Sequence, residues 1–240
     1  MAYLNYIRLF AIIQRRNLND KDNMFWPTIC IDNFFNDPEK IVNFSKILPF
    51  KKSLNGKWPG ERTDNIFDID KNFFRFFSLK ILSVLYPYNY QDFNITLNLC
   101  FQKISKEHRV KGWVHSDSYE SEITIIVYLS KHKECGTSIF DSKMISSNSI
   151  NQEKKQEMFL EKKFEDNIKY LEENNKQFEE TLSIKSKYNR LLIFDSSQFH
   201  AAQNFFESNN NEDRLTLIGF VNNINSLKLR PNGIFHKKII

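Results

Sequence analysis

Asn94-Ile95-Thr96-Leu97-Asn98-Leu99-Cys100-Phe101-Gln102 alternates apolar and polar side chains residue by residue. Successive side chains of an extended chain point to opposite faces, so this period of two predicts a strand with one face on a core. Downstream, Ile123 to Leu129, Thr137 to Phe140, Leu191 to Phe194 and Leu215 to Val221 carry the β-branched and aromatic content of further strands. Many short strands without crossover helices between them favour an antiparallel barrel or a double-sheet jelly roll over a parallel sheet.

Upstream the pattern is helical. Asp37-Pro38-Glu39 offers an N-cap, a proline at the first helical position and an acid in the first turn, followed by Ile41, Val42, Phe44, Ile47 and Leu48. A second helix is expected from Asp70 through Phe73, Phe77, Ile81 and Leu85 until Pro87 stops it. Lys51 to Asn65, with Gly56, Trp58-Pro59-Gly60 and Arg62, is loop chemistry. Between the strands, Gln152 to about Asn175 is rich in Lys and Glu, with Leu160, Phe164, Ile168 and Leu171 at helical spacing. One amphipathic helix is expected there, followed by extended chain near Thr181 to Ile184.

Composition bounds the function. The 240 residues include 23 Phe but only 6 Gly and 6 Pro, which excludes a fibrous or disordered chain. The net charge of +5, from 34 basic and 29 acidic residues, is too evenly mixed to imply nucleic-acid binding. Cys30, Cys100 and Cys135 are odd in number and far apart, as expected of reduced thiols in the cytoplasm rather than a disulfide framework. Leu9-Phe10-Ala11-Ile12-Ile13 is too short to span a bilayer, and Arg15-Arg16 follows the run instead of preceding it. No membrane association or signal peptide is expected, and a strand or short helix is the reading of that run.

The chemistry concentrates in Trp113-Val114-His115-Ser116-Asp117 and in Phe199-His200. His115 and Asp117, two apart on a strand, share a face and can bind one metal, and His200 is the best third ligand. Two imidazoles and a carboxylate on one face, with positions left open, suit Fe(II). A lone His-x-Asp is weak evidence, and a lone buried histidine is more often structural. The order of the three residues, together with Arg214 downstream, reverses those odds. Arg214 and Thr216 share a strand face, and a buried guanidinium needs an anionic partner that a dicarboxylate would supply. His108, His132 and His236 are read as surface residues, and Trp113 as core. Trp58 and Arg62 are read as part of a structural loop or a substrate rim.

With these residues the chain resembles the 2-oxoglutarate- and Fe(II)-dependent oxygenases, nearest the prolyl-4-hydroxylase-like branch and related iron oxygenases of unassigned substrate. His115-Ser116-Asp117 matches the first two metal ligands, and Asn189-Arg190-Leu191-Leu192-Ile193-Phe194, running on to His200, matches the segment that delivers the third. Tyr128 ends a strand whose tyrosine contacts the distal carboxylate of 2-oxoglutarate, and Arg214-x-Thr216 fits the position that binds the same group. Gly136 to Phe140 resembles the glycine-containing strand between them. For the keto-acid end of the cosubstrate, Gln102 and Asn98 are candidates.

The resemblance implies a mainly β fold with flanking helices. Its core would be a double-stranded β-helix (jelly-roll, cupin-like), with N-terminal helices and a helical insertion between core strands. One domain over 1–240 is expected: a helical support region at 1–92, the core at 93–225 with the insertion at about 150–178, and a tail at 226–240. It also implies Fe(II), 2-oxoglutarate and O2 as cofactors, with hydroxylation of an unactivated C–H bond and release of succinate and CO2. The substrate would be a small molecule or a protein side chain. Nucleic acid is disfavoured, because the second arginine of the demethylase branch is missing from Leu215 to Phe220. The oligomeric state is not legible. Two alternatives stay open: a non-haem iron or cupin-like enzyme that does not use 2-oxoglutarate, and a non-catalytic β-helix module with a vestigial metal site.

Overall fold

The structure, a computed structural model, describes residues 9–12, 26–117, 121–143, 152–161, 164–207 and 212–226. In chain order the elements are β1 (Leu9–Ile12), β2 (Thr28–Ile31), α1 (Pro38–Lys46), β3 (Lys51–Lys52), β4 (Glu61–Arg62), α2 (Ile66–Ile69), α3 (Lys71–Leu85), β5 (Phe93–Ile104), β6 (Ile123–Tyr128), β7 (Thr137–Ser142), α4 (Gln152–Glu161), α5 (Phe164–Asn175), β8 (Phe178–Ile184), β9 (Arg190–Asp195), β10 (Phe199–Ala202) and β11 (Arg214–Ser226). They form two antiparallel sheets. The larger runs β1-β2-β9-β6-β11-β5-β4-β3 and the smaller β10-β7-β8.

Period-two alternation divides the larger sheet into two faces. Leu97, Leu99 and Phe101 of β5, Ile123, Ile125 and Val127 of β6, and Leu217 and Val221 of β11 all enter one buried cluster with Phe77, Ile81 and Leu85 of α3. The other face carries Gln102, Tyr128, Arg214 and Thr216. On that side Tyr128, Leu192 and Phe194 pack with Ile139 and Ile184 of the smaller sheet. The helices thus support one face, and the site residues line the space toward the other sheet.

Local signals place the helices as expected. Asp37 caps α1 by accepting from Lys40 N, with Pro38 opening the helix. Asp70 caps α3 through Asn72 N and Phe73 N, and each such cap is worth about 1 kcal/mol.

Several expectations need correcting. The N-terminal third is less helical than the sequence suggests, because β1 and β2 extend the larger sheet next to β9. Leu9 to Ile12 is a strand, one of the two forms expected for that run. Within Lys51 to Asn65, β3 and β4 form a two-residue ribbon that joins β5. The expected single helix at 152–175 is two, α4 and α5, and of the predicted apolar stripe Leu171 is buried while Leu160 and Ile168 are not. Leu160 and Ile168 stand 50% and 44% exposed, while Met158, Phe159 and Leu171 are buried against Trp113 and Ile104. Helical spacing identified the element type but not the rotation, which is set by the cluster around Trp113. His108 and His132 are buried, not on the surface. His132 is taken up by hydrogen bonds with Ser130 Oγ and the Glu212 carbonyl. His236, the tail beyond 226 and the start of the predicted insertion near 150 lie outside the described residues.

Candidate active site

His200 sits on β10, paired with Ile139 of β7. His115 lies beside it, but not on a strand as expected. It makes one isolated antiparallel bridge with His200, His115 N to His200 O at 3.1 Å and His200 N to His115 O at 2.8 Å. The ladder ends there because Asp117 turns away, donating its N–H to Ser196 O at 2.8 Å. The chain reaches the same outcome by another route: the ligand atoms of His115, Asp117 and His200 all lie within 4.8 Å of one another.

Both rings are oriented by the same device. His115 Nδ1 is 2.7 Å from the Trp113 carbonyl, and His200 Nδ1 is 2.9 Å from the Gln198 carbonyl. A carbonyl only accepts, so each Nδ1 carries the proton and each Nε2 presents its lone pair. Those Nε2 atoms face Asp117 at 3.6 Å (His115) and 3.3 Å (His200). Burial, with the positive charge of Lys155 nearby, holds the His115 pKa well below the ordinary imidazole value. Burial raises the Asp117 pKa, but attraction to His200 in its protonated form, which would donate from Nε2, outweighs it, so the carboxyl titrates below its usual range and stays ionised beside the neutral rings. Two lone pairs and a carboxylate converging on one point repel unless a cation lies between them. Such a donor set fits a divalent metal of Fe(II) type with one face left open.

Asp117 is itself held. Thr124 Oγ1 donates to its Oδ2 at 3.2 Å, and Thr124, Ser196 and Ser121 form a chain of hydroxyls at 2.8 and 2.7 Å. Sequence reasoning missed this chain. Alternation on β6 places Thr124 on the face of Tyr128, but nothing in the sequence brings Ser196 beside it.

The three residues open onto a cavity of about 320 Å³ that is also lined by Gln102, Thr137, Arg214 and Thr216. Strand register aligns Arg62, Gln102, Thr216 and Tyr128 as direct neighbours across β4, β5, β11 and β6. Arg214 is 5% exposed, and its Nε donates to the Cys135 carbonyl at 3.2 Å. Among the described residues no carboxylate pairs with it, and burial lowers its pKa. Thr216 Oγ1 is buried without a hydrogen-bond partner among the described residues. A buried guanidinium beside an orphaned hydroxyl is chemically suited to a ligand carboxylate.

Tyr128 is fully buried behind this wall. Its hydroxyl donates to Thr137 Oγ1 at 2.8 Å, its ring lies 5.8 Å from Arg214 Cζ, and burial pushes its pKa up to about 12. Gln102 Nε2 donates to the Pro59 carbonyl at 2.8 Å, which ties the Trp58-Pro59-Gly60 loop to β5. Asn98 is exposed and lies away from the cavity lining. Trp113 is buried as expected and also lines the cavity, as do Trp58 and Arg62.

A model of the family described as "Family of unknown function (DUF6445)" matches residues 13–221. The chain belongs to that family. No protein of curated function matches it. Among solved structures, EvdO2 from Micromonospora carbonacea var. aurantiaca superposes with a TM-score of 0.54 at 7% identity, covering 93% of this chain and 97% of its own. HygX from Streptomyces hygroscopicus, crystallised with nickel and 2-oxoglutarate bound, gives 0.50 at 11% identity, covering 81% of this chain and 82% of its own. A 2OG-Fe(II) oxygenase family oxidoreductase from Burkholderia pseudomallei gives 0.44 at 10%, covering 81% and 84%. At these identities EvdO2 and HygX establish that this DUF6445 chain shares their fold. No described helix is long and apolar enough to cross a membrane.

Proposed function

We propose that this DUF6445 protein is a 2-oxoglutarate- and Fe(II)-dependent dioxygenase that hydroxylates an unactivated C–H bond of a small molecule or a protein side chain. The observation that carries the reading is the joining, in one cavity, of two histidines with bare Nε2 atoms, Asp117, and the Arg214–Thr216 pair. The nickel and 2-oxoglutarate held by HygX, which shares the fold, favour the same ligands here over an iron enzyme that does without 2-oxoglutarate.

In this reading His115, Asp117 and His200 hold the iron, and Arg214 and Thr216 take the distal carboxylate of 2-oxoglutarate. When bound with O2, iron and 2-oxoglutarate supply the oxidising power for C–H attack, and 2-oxoglutarate leaves as succinate and CO2. The protein's part is orientation and exclusion. The Trp113 and Gln198 carbonyls fix the two imidazole tautomers, and Thr124 fixes the carboxylate. Such supporting hydrogen bonds typically govern 10–100-fold of metal affinity. Tyr128 stays protonated and braces the carboxylate pocket through Thr137 and its ring contact with Arg214.

The chain is taken as one domain of double-stranded β-helix type, with α4 and α5 as its insertion and the reduced cytoplasm as its compartment. Purified protein given Fe(II), ascorbate, 2-oxoglutarate and O2 should form succinate in step with 2-oxoglutarate consumption, and His200→Ala should stop it. Iron-loaded protein that leaves 2-oxoglutarate untouched with every substrate offered, and does not bind it, would remove the assignment.

A further inference from the structure

Arg214 opens β11 at a point where that strand has lost one neighbour. The ladder with β6 runs only from Thr216 opposite Tyr128 to Val221 opposite Ile123, and a last backbone bond, Leu129 N to Leu215 O at 3.0 Å, closes it. Pairing with β5 continues as far as Arg214 opposite Ile104. On the β6 side the chain leaves as the loop from Ser130 to Gly136, so the backbone around Arg214 needs other partners there.

Side chains of that loop supply them. Leu215 N donates to Ser130 Oγ at 3.2 Å, Ser130 Oγ lies 2.9 Å from His132 Nδ1, and His132 Nε2 lies 3.1 Å from the Glu212 carbonyl. A single placement of protons satisfies all three contacts. The Glu212 carbonyl only accepts, so Nε2 carries the imidazole proton. Nδ1 then accepts from the Ser130 hydroxyl, which in turn accepts from Leu215. Burial, with the charge of Arg214, outweighs the Glu212 carbonyl and the Glu207 and Glu212 carboxylates and keeps the His132 pKa below its ordinary value, so the ring is in this neutral form at pH 7. The chain of bonds ends on two backbone groups that bracket Arg214, one at 212 and one at 215.

The loop also meets the guanidinium, because Arg214 Nε donates to the Cys135 carbonyl. It is itself pinned from outside. Ser186 Oγ donates to the His132 carbonyl at 2.6 Å, Lys133 N to a Glu207 carboxylate oxygen at 2.6 Å, and Gln203 N to the Gly136 carbonyl at 2.9 Å. His132 is 2% exposed and stands outside the lining of the cavity into which Arg214 reaches. A planar guanidinium binds a carboxylate through two parallel bonds only when its plane is held, so small shifts of its backbone matter.

We propose that His132 is a positioning residue, which through Ser130 and the Glu212 carbonyl fixes the backbone on both sides of Arg214 and so aims the guanidinium at the distal carboxylate of the cosubstrate. This rests on the oxygenase reading for the identity of that carboxylate. His132 acts only through Arg214 and leaves the metal ligands alone.

The test compares 2-oxoglutarate with 2-oxopentanoate, which keeps the keto acid and lacks the second carboxylate, by calorimetry on zinc-loaded protein. Wild type should prefer 2-oxoglutarate. His132→Leu should weaken 2-oxoglutarate about tenfold, the equivalent of one lost charge-assisted hydrogen bond. Zinc and 2-oxopentanoate should stay within twofold. His132→Gln keeps a donor within reach of the Glu212 carbonyl and should recover most of the loss. Ser130→Ala, which breaks the same chain with a smaller change, replaces His132→Leu if that variant fails to fold.

An equal fall for both ligands overturns the inference, because His132 would then only hold the fold together. Folded variants with unchanged 2-oxoglutarate affinity overturn it too, and both results leave the oxygenase assignment standing. A wild type that binds zinc but does not distinguish the two keto acids removes the cosubstrate reading of Arg214, and the inference with it.

Discussion

Replacing Arg214 with methionine should make the ligand-free protein more stable and nearly blind to 2-oxoglutarate. Burying a cation costs several kcal/mol even after relaxation, and no described carboxylate offsets that for Arg214. Its hydrogen bond from Nε to the Cys135 carbonyl is charge-assisted and returns about 1.5–3 kcal/mol. Methionine has a similar reach, contributes apolar contacts with the Tyr128 ring and carries no charge to desolvate. The balance is a gain of about 1 kcal/mol, or roughly 2–4 °C in Tm for a chain of this size.

Ligand binding should move the other way. Removing one partner of a buried charge pair costs about 3–5 kcal/mol, so 2-oxoglutarate affinity should fall between about 10²- and 10⁴-fold. Scanning calorimetry of metal-loaded protein reads both effects. At 100 times its Kd, 2-oxoglutarate should add about 2.7 kcal/mol to the wild type and no more than about 0.4 kcal/mol to the variant at the same concentration. An Arg214→Met protein that loses about 2 kcal/mol without ligand would refute the reasoning, because Arg214 would then be a structural anchor. So would one whose 2-oxoglutarate affinity stays within threefold of wild type.

Three further outcomes follow from the same geometry. Thr124→Val removes the hydroxyl that orients Asp117 and links it to Ser196, so metal affinity measured by chelator competition should fall about 10–100-fold while the fold is kept. Gly56→Ala places a Cβ against the Gln156 backbone at a positive φ; it should cost about 1–3 kcal/mol and raise hydrogen exchange in α4, with the core of β5, β6 and β11 unchanged. Burial lowers the His132 pKa, so the unfolded chain takes up a proton first as pH falls. The stability that His132 contributes is complete above about pH 6.5 and is lost as pH drops through the lower folded value. Denaturant melts at pH 7.5 and 5 should therefore show a smaller loss in His132→Asn than in the wild type.

The strands and capped helices were legible because their signals are local. The alternation through Asn94 to Gln102 and the caps at Asp37 and Asp70 need only neighbouring residues. The candidate site was legible for a different reason: the order of His115, Asp117, His200 and Arg214 along the chain singled out residues that the fold brings to one cavity. Properties that depend on contact between distant segments stayed hidden. The rotation of α4 is set by Met158 and Phe159 meeting Trp113, and no helical period contains that information. The burial of His132 depends on Ser130 and Glu212 closing around it. Lys155 falls in the Lys- and Glu-rich stretch that starts at Gln152, and its place in the cavity lining follows from that same unseen rotation.

The most direct test of the central claim is an anaerobic titration of metal-free protein with Fe(II) and then 2-oxoglutarate, following the visible metal-to-ligand charge-transfer band. A saturable band is predicted, absent in His115→Ala and shifted to far higher 2-oxoglutarate concentration in Arg214→Met. Iron bound without any such band would contradict the 2-oxoglutarate assignment and favour the other iron-enzyme reading. No iron binding at all would leave a vestigial module.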